Sequence, residues 1–277
     1  MSTKKITHPF LIRRRLFCVI GILCLPLFLF SQTTKNENTK EDPNAIKKTK
    51  ILVIPWEPRM FNCSSDISSA ISSETSQKYD QIEEALRRGM VDQLKRAFGS
   101  SYHVVSLIDD TAKMKADLWY VYTHTTMSYT PVNFPLNPTK ADSAKLKQQS
   151  GVQKGQIEAV SDDVEKFMNT IVLAPNLLAY LKKKYNADYI LFLNEVDMDN
   201  DLGSDPYNTM GKTEYNRIVT LHWTMMNTAD GKRVAMGKSK GKFTSDTNSP
   251  KKIIESSFSI VSKAIFDKFI VGIKPKE

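Results

Sequence analysis

Apolar residues recur at every fourth position between Tyr79 and Phe98. Ile82, Leu86, Met90, Leu94 and Phe98 share one stripe, and Gly99 follows as a stop. This spacing predicts an amphipathic helix. Strict alternation marks Arg217 to Asn227. Val219, Leu221, Trp223 and Met225 face one way, and Thr220, His222 and Thr224 face the other. That is the period of a strand. Thr228-Ala229-Asp230-Gly231 then reads as a hairpin turn, with Arg233 to Phe243 as the returning arm. Gly237 and Gly241 in that arm predict bulges or a sheet edge. Ile51–Trp56, Tyr102–Ile108 and Tyr189–Val196 are short apolar runs of buried-strand type. Ser249 and Pro250 open a last helix, with Ile254, Phe258, Val261, Ile265 and Phe269 along one side.

The remaining segments are read by weaker signals. Glu57 to Ser76 is rich in Ser, Asn and Asp and is expected to be a loop. Asp110 is placed to cap a helix over Thr111 to about Thr126. Tyr129 to Gly155, with three prolines, is expected to be a surface insertion. Val160 to Asn186 reads as two helices broken at Pro175, the second carrying Leu177, Leu178 and Leu181. The resulting order predicts an α/β (α+β) fold. It consists of a mixed sheet of about five strands with helices packed on it, a closing β-hairpin and a C-terminal helix.

The amino-terminal end changes the picture. Lys4, Lys5, Arg13, Arg14 and Arg15 precede an apolar run from Leu16 to Phe30, and Ser31 stands before Gln32. This is the three-part pattern of a secretory signal peptide over residues 1–31. The run of 15 residues falls short of the roughly 20 that a membrane-spanning helix needs. An uncleaved anchor is the alternative. Leu23 before Cys24 argues against a lipid-modified cysteine, which needs a small residue there. Residues 32–50 are polar and read as a tether to a single domain over 51–273. Five of the 39 basic residues and none of the 30 acids fall in 1–31, leaving 34 against 30. A net charge of +4 in the remaining chain implies no nucleic-acid partner. With Cys18 and Cys24 in the leader, Cys63 is left without a disulfide partner, so the fold rests on its core.

Several local sequences resemble the α/β domain of bacterial envelope proteins. That domain occurs in the curli-secretion lipoprotein, in lipoprotein activators of peptidoglycan synthases and in the amino-terminal domain of TolB. The likeness lies in the opening Ile51-Leu52-Val53-Ile54-Pro55, in Asn186-Ala187-Asp188-Tyr189-Ile190-Leu191, and in the hairpin Met226 to Val234. It spans most of Ile51 to Phe269, and its motifs are structural. A second likeness is to exported proteins of unknown function from Bacteroides-type bacteria. It rests on Pro58-Arg59-Met60, Asp109-Asp110-Thr111-Ala112, Phe167-Met168-Asn169-Thr170 and Pro175-Asn176-Leu177-Leu178. The resemblance implies a periplasmic or envelope address and no particular activity.

Candidate chemistry is sparse. Asp197, Asp199, Asp201 and Asp205 beside Glu195 begin like a calcium loop. Leu202 then stands where the turn wants glycine, and Asn208 where a bidentate Glu is needed. A solvated acidic loop is the plainer reading, with Ca2+ at Asp197, Asp199 and Asp201 as its rival. His103, His124 and His222 show no zinc spacing. Either Cys63 is a small buried group, or it is a nucleophile needing one of these histidines as base. Lys182-Lys183-Lys184 suit the negative end of a helix. Lys238, Lys240 and Lys242 alternate on one strand face, as edge guards or as a basic stripe. Arg59, Met60 and Phe61 follow the first strand, where open α/β sheets carry binding residues. They are a candidate docking spot, or they cap the core. No cofactor is expected. The reading that results is an exported envelope protein acting by binding or assembly, through another envelope protein or self-association at a sheet edge. Membrane contact is expected only through residues 1–31. The alternatives are a hydrolase with a site assembled from distant residues and a cation-stabilised structural protein.

Overall fold

The computed structural model describes residues 48–142, 152–153, 156–157, 165–203 and 214–274. The expected leader, most of the tether, Asp205, Asn208 and much of 143–164 lie outside them. In chain order the elements are β1 (Lys50–Ile54), a tight helical turn (Pro58–Met60), β2 (Phe61–Cys63), α1 (Ser65–Thr75), α2 (Tyr79–Phe98), β3 (His103–Ser106), α3 (Thr111–Thr123) and β4 (Thr125–Pro131). There follow the short β5 (Val152–Gln153) and β6 (Gln156–Ile157), then β7 (Lys166–Val172), α4 (Leu177–Tyr185), β8 (Tyr189–Asn200), β9 (Asn216–Asn227) and β10 (Arg233–Thr244). The chain closes on one continuous helix in three parts: α5 (Pro250–Ile253), a π-helical turn (Ile254–Phe258) and α6 (Ser259–Ile273).

The main sheet is mixed and six-stranded, in the order β10-β9-β8-β1-β3, with β2 also paired to β8. β1 lies parallel to both β3 and β8, while β8, β9 and β10 run antiparallel to one another. β8 is long enough for two parallel partners. Its first half takes β1 through Ile51 opposite Tyr189, and its second half takes β2 through Phe61 opposite Val196. One face of the sheet, with Val53, Leu191, Leu193, Val219, Leu221 and Trp223, packs under α1, α2 and the C-terminal helix. The other face, with Leu52, Ile54, Ile190 and Phe192, packs under α3 and α4. Among the described residues no helix is long and apolar enough to cross a membrane.

Four expectations need correction. The serine-rich Glu57–Ser76 is not a loop. It forms the tight turn, β2 and α1, because Ile67 and Ile71 sit one helical turn apart and are fully buried. Their burial outweighs the poor helix propensity of the serines. The helix expected before Pro175 is instead strand β7, and the start of the expected insertion is β4. The two pair antiparallel, from Thr125 opposite Val172 to Pro131 opposite Lys166. β8 runs through Asn200, so Asp197 and Asp199 stand on a strand and not in a loop. Gly237 and Gly241 do lie on an edge strand, β10, and Gly241 has a packing role besides. A Cβ there would stand 2.5 Å from the Ser257 carbonyl oxygen, so glycine lets the C-terminal helix touch the strand. The bulge of this hairpin lies between Arg233 and Ala235.

Four of the lysines that stand out in the sequence find partners within the chain. Lys184 bonds Asp117, which is 3 % exposed and also accepts from Tyr180 and Tyr185. Burial opposes the charge of Asp117, but these donors outweigh it and lower its pKa. On the β10 edge, Lys238 and Lys240 pair with Glu165, and Lys242 pairs with Asp201.

Candidate functional site

β4 and β7 form a ribbon that lies on the face of β8 and β9. In a two-stranded antiparallel pair, alternate residues turn their backbone groups away from the partner. In β7 these are Met168 and Thr170, and side chains of the sheet satisfy them. The Met168 N–H donates to His222 Nδ1 at 2.7 Å, and the Thr170 N–H donates to Thr224 Oγ1 at 3.2 Å. Asn194 Nδ2 donates to the Met168 carbonyl at 2.8 Å, and Arg233 Nη2 donates to the Thr170 carbonyl at 3.3 Å. The side of β9 that alternation marked as polar is therefore buried. His222 is 4 % exposed and Thr224 fully buried. The mating surface is a row of hydrogen-bonding side chains matched to a strand edge.

A bulge in β8 builds this row. The register with β9 shifts between Leu193 and Glu195. The extra residue lets consecutive polar side chains, Asn194 and Glu195, both meet groups on the ribbon side. Asn194 bonds Thr170, Thr224 and Met168, and Glu195 accepts from the Tyr129 hydroxyl at 2.9 Å.

At the end of the row, Glu195, Asp197 and His222 converge, their ligand-type atoms all within 4.8 Å of one another. Asn62 Nδ2 bridges the two carboxylates, 3.1 Å from Glu195 and 2.9 Å from Asp197. His222 Nε2 lies 3.2 Å from Asp197 Oδ2, and Nδ1 lies 3.5 Å from Glu195 Oε2. Because Nδ1 accepts the Met168 N–H, the ring proton resides on Nε2, the nitrogen that faces Asp197. In this arrangement the histidine has no lone pair to offer an ion. Ligation by Nε2 would require that proton to move to Nδ1 and the Met168 N–H to find another acceptor.

Burial, followed by the negative charge of Asp197, raises the Glu195 pKa. Burial and then the Glu195 carboxylate push the Tyr129 phenol up to about 12. An acid whose folded pKa exceeds its unfolded one stabilises the fold less as pH rises through the unfolded value, about 4.3 for Glu, toward the folded value. Glu195→Gln keeps the acceptor oxygen without the charge. Its melting temperature relative to the native chain should therefore rise between pH 4 and pH 7, as read by scanning calorimetry. A difference that is the same at both pH values would refute the role of burial.

The other sequence candidates lie apart from this cluster. Asp199 accepts from Ser64 Oγ at 2.7 Å, and Asp201 pairs with Lys242 at 2.6 Å. Alternate residues of an extended strand stand roughly 6–7 Å apart, so Asp197, Asp199 and Asp201 do not wrap one point. Phe61 is 4 % exposed and packs against Tyr79, and Met60 leans on the same core. Arg59 is exposed and pairs with Glu57. Phe61 is thus a core residue and not a surface one. The Cys63 thiol is pushed up to about 12, chiefly by burial and then by Asp66 and Asp199, which opposes a nucleophilic thiolate. His103 is exposed on β3, and His124 ends α3 against Tyr120. The sequence does not single out Tyr129 and Asn62, which reach the cluster from β4 and β2, or Asn194 and Thr170, which meet in the adjoining row from the β8 bulge and from β7.

Fold and site together define an α/β domain whose sheet carries a buried polar row under a docked β-ribbon. No protein-family model matches the chain, and no curated protein matches it. Among solved structures it is similar to the lipoprotein GNA1162 from Neisseria meningitidis, with 11 % identity over 80 % of this chain and 99 % of that one and a TM-score of 0.31. It is also similar to a hypothetical protein from Chlamydia trachomatis, with 7 % identity over 81 % of this chain and 94 % of that one and a TM-score of 0.31.

Proposed function

We propose that this chain is an exported cell-envelope protein that works by binding, adding an extended segment of another envelope protein or of a second copy to the outer edge of β4. The contrast between the β10 edge and the β4 edge carries the reading. The β10 edge holds Lys238, Lys240 and Lys242, the charged residues that block strand addition. β4 reads Thr-Thr-Met-Ser-Tyr-Thr-Pro, has no charge, and pairs only with β7 among the described residues. Exposed Tyr129 and Ile171 lie on the ribbon itself, with Val132 and Leu173 just beyond its strand ends. An uncharged edge rimmed by apolar side chains is the surface on which an extended peptide docks by main-chain hydrogen bonds. The signal-peptide pattern of residues 1–31 supports the envelope address.

A photo-crosslinking side chain at Ser128 in the producing cell tests this. One specific adduct in the envelope fraction, lost when Thr126→Lys charges the edge, is the expected result. Absence of any adduct, or recovery of the protein from the cytosol with Met1 intact, would overturn the proposal.

A further inference from the structure

A groove of about 550 Å³ opens on the far side of the sheet, between α2, the turn before it, and the start of the C-terminal helix. Its size falls within the roughly 300–1,000 Å³ of small-molecule sites. Gly89 forms part of its floor. A Cβ there would strike the Ile254 side chain at 2.2 Å, so glycine holds the two helices together below the opening. The wall opposite α2 includes Ile254 and Glu255, where the C-terminal helix widens into its π-helical turn. Such turns recur at functional sites.

Two carboxamides in the groove have unmet hydrogen-bonding capacity. Gln93 is 6 % exposed, and its side chain bonds nothing among the described residues. Gln77 Oε1 is buried and accepts no hydrogen bond. The Gln93 amide keeps contact with the groove and is free to meet an outside donor or acceptor, while the enclosed Gln77 Oε1 is the one of these atoms left without a partner. The rim carries both charge signs. Arg96 and Lys251 stand against Asp92 and Glu255, and none of the four is engaged in an ion pair among the described residues. No aromatic ring lines the groove, so it offers no stacking platform for a sugar or nucleobase.

We infer that this groove binds a short peptide with free amino and carboxyl ends. Gln77 and Gln93 meet its backbone amides, Arg96 and Lys251 its carboxylate, and Asp92 and Glu255 its ammonium group. The groove lies on the helix-covered face opposite the β4–β7 ribbon, so its occupancy is independent of strand addition at β4.

Tri-alanine with free termini is the probe, titrated into the purified protein while the side-chain amide signals of Gln77 and Gln93 are followed by NMR. Both signals should move saturably. Acetylating and amidating the peptide, or introducing Arg96→Glu or Lys251→Glu on the exposed rim, should weaken binding by about tenfold or more. Signals that stay still to millimolar peptide would overturn the assignment. So would capped peptide binding as tightly as free peptide, or both rim variants binding normally while their remaining spectrum is unchanged.

Discussion

Replacing Asn194 with leucine is expected to cost about 3 kcal/mol or more and to free the β4–β7 ribbon from the sheet. Asn194 is fully buried. It donates to the Met168 carbonyl and to Thr224 Oγ1, and it accepts from Thr170 Oγ1. Leucine has a similar volume but leaves all three partners short of a bond in a site closed to water. Each unsatisfied buried group costs roughly 1–3 kcal/mol. Met168 also anchors His222, so the loss spreads along the row. Urea melts should show the reduced stability, and limited proteolysis should cut within 125–131 before the rest of the domain. A variant within about 0.5 kcal/mol of the native chain would show that packing, and not the polar row, holds the ribbon.

Gly241→Ala is expected to destabilise by about 2 kcal/mol, lowering the melting temperature by roughly 4–8 °C. The added Cβ would lie 2.5 Å from the Ser257 carbonyl oxygen and 3.0 Å from its Cα. Both are backbone atoms of the π-helical turn, so no side chain can swing aside. Ser257 Oγ also donates to the Lys242 carbonyl at 2.9 Å, which ties the helix to the strand at the same spot. Relief therefore requires the helix and β10 to separate, with lost packing around Phe258 and Val261. A melting temperature unchanged by the substitution would mean that the helix can shift outward without loss.

These two positions show what is legible in a sequence of this kind. The stripe of Ile82, Leu86, Met90, Leu94 and Phe98 announces α2 because a helix facing a core records its geometry locally. The alternation of β9 and its Asp230-Gly231 turn do the same for the closing hairpin. The ribbon left no such record. Phe167-Met168-Asn169-Thr170 is buried from every side, so it shows no period, and a polar edge capped by side chains replaces the usual apolar face. The candidate site was half visible for the same reason. Glu195, Asp197 and His222 each stand out in the sequence, but as members of an acidic run and as a lone histidine. Their convergence depends on the pairing of β8 with β9, a bulge at Asn194 and a ribbon from elsewhere in the chain. The segment Ser65–Thr75 hid behind its serines, since two isoleucines suffice once a large neighbour covers them.

The central position of β1 has a consequence for how this chain is made. Its Lys50 N–H is held by Asp188, 138 positions downstream, and its inner neighbour is β8. Contacts that span so much chain form late and slowly. A polypeptide threaded through a translocation pore with Met1 leading would deliver β1 long before its partner arrives. In that order β1 would meet β3 early, and its other edge would stay open until β8 had emerged as far as Asn200.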